Sequence, residues 1–200
     1  MILKRFFTPT TFTLVILLFI PHALGATPAE SFVAEMGNKA FASLSEKDLS
    51  RNERKTRFRA ILRTAFDMPQ IARFTLGRYW RIASTEEKTE FTDLFVRFFV
   101  QAYSNRFRDL GGKKFLVRQS RAISASQSLV LSEIITPGKP SIKVNWRVRA
   151  KGRNYKVVDV MVEGISMSVT QRDEFVSVIR QTGGKVSGLI RALRKKTKTN

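Results

Sequence analysis

Two hundred residues, 43% of them hydrophobic, suffice for one domain with a sizeable core, and 36 Lys and Arg against 16 Asp and Glu leave a net charge of +20. There is no cysteine, and the single histidine, His22, lies inside an N-terminal apolar segment. Beyond that segment a disulfide, a Ser-His-Asp triad, a Cys-His pair and a His-based zinc or copper site are excluded, whereas carboxylate chemistry and all-oxygen sites are not.

Lys4 and Arg5 precede the apolar run 12–20, Pro21 breaks it, and Ala23-Leu24-Gly25-Ala26 offers small residues for cleavage. This is the layout of a secretory signal peptide over residues 1–26. A run of about nine residues is too short for a bilayer span of about 20, and an uncleaved anchor is the alternative. With no cysteine after the run, a lipoprotein is excluded. The expected product is a periplasmic domain over 27–200, in which 34 basic residues face 16 acidic ones, a net +18. Such a charge calls for an anionic partner. Export argues against nucleic acid and for lipid headgroups or an acidic protein surface.

Residues 28–44 place Phe32, Val33, Met36, Ala40, Phe41 and Leu44 at helical spacing. A loop at 45–50 leads to a second helix over about 49–66, with Phe58, Ile61, Leu62, Ala65 and Phe66 on one side. Asp67 followed by Met68-Pro69 opens a third, short helix that ends near Gly77. Ser84 and Glu87 form a capping box for the helix with the widest apolar stripe, from Phe91 to Phe107, closed by Gly111-Gly112.

The pattern then changes to strands at about 115–117, 128–136, 141–149 and 155–167. The third alternates cleanly, with Ile142, Val144, Trp146 and Val148 on one face and Lys143, Asn145, Arg147 and Arg149 on the other. Short connections between four strands imply an antiparallel meander. Helix resumes at 171–181 and 186–193, and 194–198 trails off as a basic tail. Helices over 27–110, a sheet over 113–168 and helices over 170–195 make one α+β domain.

Within VVDVMVEGISMS, residues 157–168, strict alternation puts Asp159 and Glu163 on one face with Tyr155, Val157 and Met161, and Val158, Val160 and Val162 on the other. The two acids are then roughly 13 Å apart at ~3.3 Å per residue, wider than the 5–10 Å or so of a glycosidase pair. The alternative to an acid pair is that each meets an arginine. Arg147 on the adjacent strand and Arg172 after the last strand are the candidates, since an unpaired buried carboxylate costs several kcal/mol.

Residues 66–80 (FDMPQIARFTLGRYW), 91–95 (FTDLF) and 159–166 (DVMVEGIS), with Arg172 and Phe175, together resemble the MlaC/toluene-tolerance family. The resemblance spans about 30–195. It implies a periplasmic phospholipid carrier of an ABC transport system: a twisted antiparallel sheet packed on helices, of NTF2-like or cystatin-like shape, with an apolar cavity between the two layers. A hopanoid-associated branch is an alternative. The implied partners are a phospholipid ligand and membrane-bound complexes at the inner and outer membranes, with transient membrane contact, no nucleic acid, cofactor, metal or catalytic residue, and a monomeric state. The expected cavity lining is Phe66, Ile71, Phe74, Tyr79, Phe95, Phe98, Phe99, Trp146, Val148, Val160 and Val162, with Asp159, Glu163, Arg147 and Arg172 as structural ion pairs. Sixteen Phe, five Met and two Trp are ample for a pocket as well as a core. Gly111-Gly112-Lys113-Lys114 and Gly183-Gly184-Lys185 both lack a phosphate-loop frame, so ATP acts elsewhere. Two rival readings remain: a carboxylate enzyme of similar shape using Asp159 or Glu163, and a basic binding module using residues 191–198.

Overall fold

The computed structural model describes residues 26–152 and 154–198, so the expected signal peptide lies outside it apart from Ala26. Four helices come first: α1 Pro28–Leu44, α2 Arg51–Ala65, α3 Met68–Leu76 and α4 Thr85–Tyr103. Each starts on a side-chain cap. Thr27 with Glu30, Ser50 with Glu53, and Ser84 with Glu87 are all complete capping boxes, while Asp67 accepts from Gln70 N at 3.2 Å. The stripe expected to run to Phe107 changes geometry at Ser104, where a 3-10 segment, Ser104–Leu110, takes over.

The α1–α2 corner is set by a buried arginine. Arg54 donates from Nε to Leu44 O at 2.9 Å and from Nη2 to Glu46 O at 3.1 Å, giving a positive partner to carbonyls that the end of α1 leaves free.

Five strands follow in one antiparallel sheet, ordered β1-β2-β3-β4-β5: β1 Lys114–Ser124, β2 Gln127–Ile135, β3 Ile142–Lys151, β4 Asn154–Val162 and β5 Ile165–Ser166. The strand expected over 155–167 is thus two strands. Glu163 and Gly164 turn the chain with φ of 49° and 82°, the left-handed pair that a two-residue hairpin requires. Last come α5 Met167–Gln181 and α6 Val186–Lys198. The basic tail is therefore the continuing end of α6, tied back by Arg194, whose Nε and Nη2 lie 2.5 and 2.7 Å from Glu90 of α4.

Strict alternation fails in β4. Arg147 pairs with Asp159, but Val148 pairs with Val157, so Val158 is an extra residue in a bulge. Val157 and Val160, three apart, therefore share a face. Tyr155, Val157, Val160 and Val162 line up with Val144, Trp146 and Val148, while Asp159 and Met161 point to the other side.

The core has two parts. One is helical, built from the C-terminal half of α1 with α2, α3, α4, α5 and α6, with Phe91 and Phe95 fully buried and edge-on to Phe175 at 5.7 and 6.0 Å. Burying each such ring contributes about 1.5–3 kcal/mol. The other is the inner sheet face against α1, where Val33 and Met36 meet Val130, Val148 and Val157. Gly37 lets this contact close: a Cβ there would lie 2.1 Å from the Phe115 ring of β1.

Candidate functional site

Phe66 stands between the two cores. It ends α2 in extended geometry, makes a parallel bridge to Val157 and packs against both clusters, as Ile61 does. Asp67 N–H then donates to Val157 O at 2.9 Å, pinning the α2–α3 joint to β4.

The expected lining residues divide about this joint. Ile71, Tyr79 and Phe95 are buried in the helical core, with Phe98 and Phe99 packed against it. Val148 is buried in the sheet core, with Trp146 and Val160 alongside. The remaining two belong to neither cluster. Phe74 lies under the Arg172 guanidinium at 5.0 Å, and Val162, 36% exposed, sits at the outer end of the sheet face. Between sheet and helices, Ile61 and Phe66 form a seam of side chains packed against both clusters. Apolar faces that meet gain the dispersion contacts a hollow would forgo.

Two open concavities lie between helices. A groove of about 1010 Å³ runs between α2, α3 and α4, and a smaller cleft of about 480 Å³ between α4, α5 and α6. Of the eleven expected lining residues only Phe98 borders either one.

The inner sheet face is continuous and graded. Val157 is 0% exposed at its covered end; Ile142, Val162 and Ile165, the last 63% exposed, form the uncovered end. Midway, Trp146 Nε1 donates to Ser132 Oγ at 2.9 Å, and that hydroxyl in turn donates to Val144 O. These bonds fix the orientation of the indole on the sheet face. Sequence reasoning missed Phe115, Val117, Val130 and Val157 on this face. Val157 was hidden by the bulge, while the apolar residues of β1 and β2 were the signal for the others.

The expected ion pairs do not form. Asp159 is buried and opposite Arg147 in register, yet its carboxylate accepts from Ser166 Oγ at 2.6 Å and Ser168 N at 3.1 Å. It therefore serves the first turn of α5, where free N–H groups and the helix dipole favour an anion. Glu163, on the turn, accepts from Lys143 N at 2.5 Å and returns its own N–H to Lys143 O at 2.9 Å. Arg147 is exposed, and Arg172 Nε lies 3.7 Å from Asp173 besides covering Phe74. Both carboxylates of the proposed acid pair are thus committed to backbone and hydroxyl donors. Arg78 donates to the Tyr79 hydroxyl at 3.1 Å and holds the phenol below its ordinary range. Among the described residues no group of three or more His, Cys, Asp or Glu is placed to hold a metal.

A family model described as "MlaC protein" matches residues 34–195. The chain belongs to the MlaC family. Among its MlaC relatives is the intermembrane phospholipid transport system binding protein MlaC of Haemophilus influenzae, 21% identical over 189 residues, which are 90% of this chain and 88% of that one. The fold matches that of a phospholipid-binding protein from Ralstonia solanacearum, solved in complex with a phospholipid. The TM-score is 0.74 at 20% identity, covering 85% of this chain and 97% of the other.

Proposed function

We propose that this chain is a periplasmic carrier that takes the acyl chains of a phospholipid between its sheet and its helices and moves the lipid between membrane-bound complexes. The observation that carries this reading is the apolar strip of the inner sheet face along β3 and β4, from buried Val157 and Val148 through Trp146, Val160 and Val144 to exposed Val162 and Ile165. Ile61 and Phe66 pack against both its inner end and the helical core. A tail entering at the uncovered end parts the seam at these residues and replaces one set of apolar contacts with another. The relatives named above, one a transport binding protein and one holding a phospholipid, support the same ligand class.

Magnitudes give the mechanism. Two acyl chains carry about 30 methylenes at about 0.8 kcal/mol each, so bringing them into water costs on the order of 20 kcal/mol. No free lipid crosses an aqueous gap at a useful rate. A dry seam offers what a bilayer offers, so exchange with a membrane is close to neutral, and direction comes from the partner complexes. The headgroup stays in water at the uncovered end.

Trp146 gives a direct test. In a Trp80→Phe background, phospholipid spin-labelled on the acyl chain quenches the remaining tryptophan emission, and headgroup-labelled phospholipid quenches it far less. Equal quenching by both labels, or none, would remove the sheet face from the site.

A further inference from the structure

The groove between α2, α3 and α4 has a composition unlike the apolar seam. Met68, Trp80 and Val96 supply its apolar part; Arg59 and Arg63 on α2 and Lys88 and Arg97 on α4 flank it. Its one carboxylate, Asp93, is already neutralised by Arg97 at 2.6 Å. Lys88 leans on the Trp80 ring at 5.8 Å.

Arg59 and Arg63 also end a longer row. Arg51, Lys55, Arg59 and Arg63 recur every fourth residue and so share one face of α2 over about 18 Å. Like charges at this spacing disfavour a helix. Among the described residues none of these four side chains has an ion pair or a hydrogen bond, whereas Arg57 on the same helix is paired with Glu46. The chain keeps a repulsive row that nothing internal relieves, beside a concave apolar surface.

We propose that this groove is the docking site for an acidic amphipathic segment of a protein partner, its apolar ridge entering between α2 and α4 and its carboxylates meeting the cations on either side. A helix laid in a groove is a common mode of such recognition. A flat bilayer surface does not enter a concavity between two helices, and a nucleic-acid backbone brings no apolar ridge. The groove includes Met68 and Pro69, immediately after the Phe66-Asp67 joint, so a docked segment bears on the helix that closes the seam. The proposal rests on the carrier reading only in that a carrier needs somewhere to dock.

The test is fluorescence anisotropy of a labelled helical peptide with leucines on one face flanked by glutamates, titrated with the purified protein. Binding is expected to weaken about tenfold or more in Arg59→Glu/Arg63→Glu, less in Arg59→Gln/Arg63→Gln, and less than about twofold in Lys139→Glu/Lys151→Glu, which changes the same charge at exposed positions before β3 and at its end. A matched peptide with lysines is expected not to bind. Absence of binding, or an equal loss in the remote pair, overturns the proposal. So does capture of phosphatidylglycerol vesicles with the same dependence on Arg59 and Arg63, which puts a membrane in the peptide's place. Lipid recovered from the Arg59→Glu/Arg63→Glu protein separates this proposal from the carrier reading. Undiminished lipid with lost peptide binding supports a separate docking groove, and loss of both assigns the groove to the lipid site and overturns docking.

Discussion

Replacing Asp159 by Ala removes the acceptor of Ser168 N–H and Ser166 Oγ at the start of α5 and leaves a buried donor unmet. The expected loss is about 1–3 kcal/mol, read as a lower urea midpoint at unchanged slope. An unchanged midpoint would contradict the structural role and return Asp159 to the list of chemically free acids. That Asp159 is special is legible in the sequence, because a carboxylate among valines demands a partner. The partner's identity is not. Arginines are plentiful, and nothing local reveals that the strand stops at Val162 and that α5 begins at Met167 with its N–H groups turned to Asp159.

At the scale of elements, the helix starts were the most readable features, since each depends on side chains within three residues of one another. The Ser84–Glu87 box was read in advance; Thr27–Glu30 and Ser50–Glu53 follow the same pattern and were overlooked. The β4 bulge was not readable, because an extra residue such as Val158 is fixed by its neighbours across the sheet and not by its own sequence. It alone reassigns Val157 to the inner face. Close approach between α1 and β1 is likewise a tertiary fact. Gly37→Ala raises helix propensity by about 1 kcal/mol but drives a methyl into Phe115, itself held between Phe41 and Trp146 at ring distances of 5.6 and 6.1 Å. Overpacking of this kind costs about 1–3 kcal/mol, so the variant is expected to melt lower; a higher melting temperature would show that the ring yields freely.

The α4–α6 attachment is expected to weaken in acid. Arg194, hydrogen-bonded to Glu90, holds that carboxyl below its ordinary value. A depressed carboxyl contributes stability that is present above its unfolded value, near 4.3, and is lost as pH falls through the lower folded value. Amide exchange in α6, normalised for intrinsic rates, is expected to rise in that acid window, and Glu90→Gln to show the raised exchange already at neutral pH. Identical α6 protection in the two proteins at neutral pH would discount the pair.

Across the whole molecule, an α+β chain with a meander between two groups of helices was legible from periodicity, and the lipid-carrier family from three short motifs. The arrangement of the site was not. Eleven apolar residues were expected around one hollow; the chain distributes most of them over two cores that meet at Phe66, because apolar side chains serve equally to fill a core and to line a pocket. The uncovered end of the sheet face, with Ile142, Val162 and Ile165 exposed, shows in periodicity only as more strand. The central claim is that these two cores part to hold a hydrocarbon tail. It is tested most directly by denaturing extraction of the purified protein and mass spectrometry of the organic phase. Phospholipid in stoichiometric amount with the protein is the expected result; a protein that carries no lipid from the cell and takes up none from phospholipid vesicles would contradict it.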